Sequence, residues 1–546
     1  MIIIFIVLLI ISFRFYYFDL VVIIEWIVLE YNSINLKFIL LLDWISILFI
    51  RLIILISAII ILYRIVYMEG EKNIRRFNYL LLLFILSIVF IVIRPNIVRI
   101  LVGWDGLGVV SYCLVNYYHN YVSYNSGIVT VLCNRIGDVG ILITVGVIIM
   151  MGRWDIVIFK GGRGVILILI LAAITKSAQI PFSVWLPMAI AAPTPVSALV
   201  HSSTLVTAGV YLIIRFNRFL KETAEVRIIL LFLSVVTIFM SGIMANFEND
   251  FKKIIALSTL RQLGLIMIIL RLGFKLIAYY HLLVHAVFKS ILFIRAGVII
   301  HLMNNNQDIR LLGNLNEVMP FVIIRLVISN IALIGIPFIS GFYRKDLIME
   351  IIYSEVNINI IILIIIVLSL LLTVSYSIRL IYYLFFNRRI KFYRCVKIKE
   401  DWIINISIII IIILRILVGS MLNWIFYFDN YLIYLPILIK FFTLICCVRG
   451  VLLIIVIIVI RKIIRIYYYI YFFRSIWFLN RIYVWIYNPV NIFRLTMSNI
   501  DKRWIEFISK IYIIRFVEKK FNYINYKIYI FMFIFIYFRV MVYIFI

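Results

Sequence analysis

Residues 171–216 read LAAITKSAQIPFSVWLPMAIAAPTPVSALVHSSTLVTAGVYLIIRF. The stretch is apolar enough to enter a bilayer, yet it carries Lys176, His201 and the prolines Pro181, Pro187, Pro193 and Pro195. A lysine in hydrocarbon is costly and usually lines an internal path. Proline removes backbone donors, and broken backbone is tolerated at membrane depth only against protein or a water-filled cavity. Two titratable side chains beside an interrupted span are what an ion or proton path requires.

Working outward, the 546 residues are 66% hydrophobic, with a mean hydropathy of +1.17. Soluble domains are nearer half apolar. Runs long enough to span a bilayer recur, roughly 15 or 16 of them at about 20 residues each. The expected fold is therefore an all-α polytopic bundle. Spans are expected at 1–18, 36–67, 77–94, 96–118 and 126–151, with a polar segment around 19–37 and a turn at 119–125. Met1 leads straight into IIIFIVLLIISF, with no basic amphipathic presequence, which suits synthesis beside the chain's own membrane. The five cysteines form no CxxC pair, and neither GxGxxG nor a Walker loop occurs. Nucleotide, zinc, iron–sulfur and nucleic-acid readings are thereby disfavoured.

A second apolar segment, 321–353, is interrupted by Gly335, Pro337 and Gly341 just before Lys345. Two broken segments, each with a lysine, are the hydropathy sign of an inverted repeat. Other titratable residues share this setting. Asp105 lies inside a span, and a buried carboxylate needs a cationic partner, for which Lys176 is the candidate. His281, His285 and Lys289 fall at i, i+4 and i+8 on one helix face, a stripe better read as a hydrated wire than as a zinc site. His285 is nearest the span centre, whereas His301 and His119 are expected at loops. Lys252 and Lys253 open a span, and Asp346 follows Lys345. Arg135 and Asp138, one turn apart, are expected to satisfy each other.

The segments GWDGLGVVSYCLV (103–115), NRIGD (134–138), TKSAQIPFSVWLP (175–187), KKIIALSTLRQLG (252–264), HLLVHAVFKSILF (281–293), QDIR (307–310) and GFYRKDLIMEI (341–351) resemble, in this order, the antiporter-like subunits of respiratory complex I, in particular the subunit 5 branch in its invertebrate mitochondrial form. The resemblance covers roughly residues 95–385 and implies a proton-pumping subunit of the inner mitochondrial membrane. It implies two antiporter-like repeats at 76–227 and 228–386, preceded by N-terminal spans at 1–75. C-terminal spans at 387–487, a lateral amphipathic helix at 488–520 and a terminal anchor at 521–546 would follow. NADH, FMN, iron–sulfur clusters and ubiquinone would belong to other subunits, leaving this chain without a cofactor or metal. Its partners would be the other membrane-arm subunits, the adjacent antiporter-like ones above all, and membrane lipids, with cardiolipin among the candidates.

On this resemblance the proton path is Asp105 with Lys176 as the modulating pair, His201 and Lys252 or Lys253 as relays, the stripe around His285 as centre, and Lys345 with Asp346 toward release. Aspartate stands at 105 where the family has glutamate, so the direct contact with Lys176 is in question. A sodium/proton antiporter subunit of the same family and a silent structural brace are the alternatives.

The net charge of +29 fits none of this. Many arginines lie inside apolar runs, among them Arg51, Arg261, Arg295, Arg325, Arg415 and Arg449. Where the family has serine before PN, QLG and KD, this chain has Arg94, Arg261 and Arg344, and Ile190 stands where it has methionine. Invertebrate mitochondria read AGA as serine and AUA as methionine, so the sequence has the look of a translation under another code. Arginines snorkelling from span ends are the other possibility.

Overall fold

The computed structural model describes residues 1–150, 163–386, 419–426 and 435–463, apart from 32–33, 72, 304, 338 and 356–357, together with isolated positions between 402 and 498. It falls into two compact units, Met1–Trp477 and Phe478–Ile546. In the second unit the described residues are 496–498, which are helical. Most of the expected C-terminal spans at 387–487, the lateral helix at 488–520 apart from 496–498, and the terminal anchor lie outside the described residues.

Among the described residues ten helices are long and apolar enough to cross a membrane. The first half comprises α1 (Ile2–Tyr17), α2 (Trp44–Tyr67), α3 (Ile74–Ile93), α4 (Ile97–Val115), α5 (Tyr121–Met150) and α6 (Arg163–Lys176). Two short turns, α7 (Trp185–Met188) and α8 (Thr194–Val196), lead through a π-helical segment, Ser197–Thr204, into α9 (Leu205–Arg215). The chain continues through α10 (Asn217–Glu222), α11 (Ala224–Phe247), α12 (Phe251–Arg271) and α13 (Lys275–Leu302). After α14 (Leu315–Val318) come α15 (Pro320–Ile334), α16 (Ser340–Ser354), α17 (Ile360–Ile381) and α18 (Ile437–Ile463).

Two expectations near the N-terminus are corrected. Residues 36–42 do not begin a span, and 19–37 is not simply a polar connection. Val22–Tyr31 (β1) and Ile34–Leu42 (β2) pair antiparallel as a hairpin. β1 is mostly β-branched and aromatic, β2 is leucine-rich, and apolar runs of either kind read equally as strand or span. The span starts only at Trp44, because Asp43 caps it: Ser46 N donates to Asp43 Oδ1, and Asp43 N donates to Ser46 Oγ, both at 3.0 Å. The turn placed at 119–125 is also shorter than expected. It centres on His119, at φ +51°, and α5 is already helical at Tyr121.

Burial sorts the helices. Thr194–Arg215, α12 and α13 are buried almost throughout and form the core, whereas α3, α4 and α5 each expose one side. Close approach is achieved by glycine. A Cβ on Gly209 of α9 would lie 2.5 Å from the Ala173 carbonyl oxygen on α6. α6 and α9 thus meet backbone to backbone, and Lys176 is locked at the end of α6 beside this contact.

Candidate proton path

Lys176 is the last residue of α6 and is fully buried. The chain breaks immediately after it. Ala178 turns at φ +55°, and residues 177–184 are non-helical until α7. Pro181 sits exposed in that turn and Pro187 is buried within α7. Trp185 closes the break by donating its indole N–H to the Thr175 carbonyl at 3.0 Å. The lysine points toward α4: Nζ lies 3.4 Å from the Trp104 carbonyl and 5.0 Å from the centre of the Trp104 ring.

Asp105 and Lys176 form no direct ion pair. The carboxylates that bear on Lys176 electrostatically are Asp138 first and Asp105 second. Asp138 is nearly buried, and Asp105 is a third exposed. Arg135 bridges the two acids, with Nη1 3.6 Å from Asp138 and 3.9 Å from Asp105. Arg135 is thus shared, not an exclusive partner of Asp138. A half-open cavity of about 320 Å³ between α4 and α5 is lined by Asp105, Gly108, Asn134, Arg135 and Asp138. Lys176 stands behind it, with Nζ only 3.7 Å from where a Cβ on Gly108 would lie.

His201 lies in the π-helical segment, buried, with its ring edge-on to Trp185 at 6.3 Å and neither ring nitrogen hydrogen-bonded. π-Helical turns often occur at functional sites. From the Lys176 break, Gln179 reaches α11. Thr237 Oγ1 donates to its amide oxygen at 2.6 Å, while its amide nitrogen donates to the Ser177 carbonyl at 3.3 Å.

The second group is built on α12, α13 and α16. Lys252 is buried, whereas Lys253 is half exposed and pairs with Asp250 at 2.7 Å. Lys289 donates to Ser258 Oγ at 2.6 Å. His285 is fully buried, and neither of its ring nitrogens is bonded. His281 Nε2 lies 3.2 Å from Gln262 Oε1. Lys345 is reached by the second break. Gly335, at φ +90°, ends α15, and α16 resumes at Ser340 after Pro337. Lys345 Nζ donates to the buried carbonyl end of α15, at Ile334, at 2.8 Å and to Thr373 Oγ1 at 3.2 Å. Asp346 turns away from it and accepts from Thr443 Oγ1 at 3.0 Å. A cavity of about 20 Å³, lined by Gly335, Lys345, Asp346, Thr443 and Cys447 among others, lies between them. That is room for a single water.

Gln179, Thr237, Ser258, Gln262 and Thr373 were not singled out in the sequence. Neutral polar residues at span centres would have been the signal. Arg379 acquires a function in the fold. It donates to the carbonyls of Ala245, Asn246 and Glu248 and to Asn249 Oδ1, gathering the end of α11. His301 is exposed at the end of α13, against Tyr67.

Residues 95–373 match the family described as NADH:quinone oxidoreductase/Mrp antiporter, TM. Residues 26–78 match NADH-Ubiquinone oxidoreductase (complex I), chain 5 N-terminus, and 376–544 match NADH dehydrogenase subunit 5 C-terminus. The chain is 43% identical over 515 residues to NADH-ubiquinone oxidoreductase chain 5 of Anopheles gambiae, covering 91% of this chain and 88% of the relative. It is 41% identical over 534 residues to that of Locusta migratoria, covering 93% and 92%. Among solved structures, the fold is similar to a chain of the Mrp complex from Dietzia sp. DQ12-45-1b, with TM-score 0.74 at 21% identity, covering 89% of this chain and 56% of that one. A chain of an archaeal membrane-bound sulfane sulfur reductase gives 0.65 at 21% identity, covering 73% and 84%. Matched from residue 26 to 544 and along most of the length of its insect relatives, the chain belongs to the NADH-ubiquinone oxidoreductase chain 5 family.

Proposed function

We propose that this chain carries protons across the inner mitochondrial membrane as a membrane-arm subunit of the NADH:ubiquinone oxidoreductase complex. The observation that carries the reading is a set of buried titratable side chains: His201, Lys252, His281, His285 and Lys289 on the most deeply packed segments, with Lys176 at the end of α6 and Lys345 on α16, in a chain that is otherwise hydrocarbon-like. Intramembrane ionisable groups are expensive and are kept where ions or protons pass. Neutral donors and acceptors join several of them: Ser258 at Lys289, Gln262 at His281 and Thr373 at Lys345.

In this reading the acids at the α4–α5 cavity, Asp138 and Asp105, set the charge of Lys176. Arg135, shared between them, is the movable element, because a shift of its guanidinium changes how much negative charge faces the lysine. His201, Gln179 and Lys252 lead toward the second group, His285 and His281 form its centre, and Lys345 is the terminal carrier. Lys253, held by Asp250, anchors the start of α12 and lies outside the path. Asp346, which lines the same small cavity as Lys345, is the acid on the release side.

Electron transfer and quinone reduction are assigned to other subunits. The adjacent antiporter-like subunits are the proposed partners, and the exposed sides of α3 to α5 have room for them or for lipid. The test is His285→Ala in the assembled complex reconstituted into liposomes. Proton uptake per NADH oxidised should fall while the complex remains whole. An unchanged ratio would remove the central histidine from the path.

A further inference from the structure

Three arginines are buried at span depth without the partners a guanidinium needs. Arg261 on α12 and Arg295 on α13 have no solvent exposure, and none of their guanidinium nitrogens is hydrogen-bonded. Arg344 on α16 is equally buried. Its Nη2 makes one 3.3 Å contact to Gln262 Oε1, its group lies 5.3 Å from the Phe288 ring, and Nε and Nη1 have nothing. A guanidinium brings five donors and a charge that it does not shed. The charged group that bears on Arg295 is another cation, Arg325.

The same fold shows what a properly housed arginine looks like. Arg215 grips Asp43 with two nitrogens, and Arg379 spreads four hydrogen bonds over the end of α11. Positions 261, 295 and 344 have nothing comparable. Position 261 and position 344 also flank the candidate path. Arg344, His285, Arg261 and Lys345 all bear on His281, and no carboxylate is among them. Two permanent positive charges there would repel protons from the histidine and the lysine alike.

We infer that the protein as synthesised in the mitochondrion carries serine at positions 261, 295 and 344, arginine there being the reading of a codon that the organelle's own code assigns to serine. A buried serine needs no counter-ion, because its hydroxyl bonds to a carbonyl of the preceding turn. Ser258 and Ser290, on the same two helices, do this to Ile255 at 2.5 Å and to Val287 at 2.9 Å. At 261 and 344 the hydroxyls would sit near Gln262 and His281 and lengthen the polar row. That added role rests on the proton-path reading; the identity of the side chains does not.

The experiment is mass spectrometry of the complex purified from mitochondria of the source organism, denatured and digested in parallel with trypsin and with chymotrypsin. The expected result is serine-mass peptides across 261, 295 and 344 and no tryptic cleavage after these positions, with cleavage after Arg215 and Arg379 as the internal standard. Arginine masses and tryptic ends at 261, 295 and 344 would overturn the inference. Serine masses in a complex that moves no protons would leave the inference standing and defeat the proposed function instead.

Discussion

Arg215, at the end of α9, holds Asp43, the N-cap of α2, through two hydrogen bonds of 2.5 and 2.8 Å, and its Nε donates to Tyr211 at 2.7 Å. One carboxylate thus starts a helix and ties it to the segment that carries His201. Both side chains are largely buried. Removing one partner of such a pair strands the other charge and costs about 3–5 kcal/mol. Arg215→Met is therefore expected to lower the thermal stability of the assembled complex by that order. Arg215→Lys should restore only part of it, since lysine cannot make the forked contact. A melting curve of the Lys variant matching the parent would show that the fork is not required.

Gly341 stands where α16 crosses α15, and a Cβ there would lie 1.7 Å from the Ala332 carbonyl oxygen. Gly341→Ala must push the two helices apart and pull Lys345 from the Ile334 carbonyl. Loss of the assembled complex on native gels is expected. Gly146→Ala, where a Cβ meets nothing within 4 Å, should leave it unchanged. Equal assembly of the two variants would contradict the described packing.

Arg379 binds the carbonyls at 245, 246 and 248, just ahead of Lys252. Arg379→Lys keeps the charge but loses the planar spread of donors. The connection at residues 246–250 should then be cut faster in limited proteolysis, because the terminal carbonyls of α11 are released. Unaltered protection would mean that other contacts hold this junction.

The lysines and histidines were legible because a titratable group inside an apolar run stands out whatever the fold. Two distinctions were not. Asp138 bears more strongly on Lys176 than Asp105 does, and Lys252 is buried while Lys253 is paired at the surface. Both depend on which face of a helix meets a neighbour, and hydropathy along a span that is apolar all round does not reveal that face. Gln262 and Thr373 were missed for a related reason, since amides and hydroxyls are common in spans and acquire meaning only from their partners. The β1–β2 hairpin was hidden because short apolar runs fit strand and span alike. The breaks after Lys176 and before Lys345 were readable, because glycine and proline act through local backbone geometry.

The ion carried distinguishes the proposed function from a sodium antiporter. In the proposed path the buried carriers are amines and imidazoles, which pass protons, whereas a sodium site is built from oxygen ligands. Replacing sodium by choline should therefore leave NADH-driven proton uptake into liposomes unchanged. Uptake that vanishes without sodium would assign the path to sodium exchange.

The central claim is that protons pass through the buried row that begins at Lys176. A positioned acid–base group contributes about a hundredfold or more to proton transfer. The most direct measurement is the ratio of protons moved to NADH oxidised by the Lys176→Met complex in sealed liposomes. Native gels would confirm that the complex is whole. The account predicts a lowered ratio and strongly slowed NADH oxidation, with Lys176→Arg no better, because arginine keeps its proton. An intact Lys176→Met complex that oxidises NADH at the parental rate with the parental ratio would contradict it and leave the chain a structural brace.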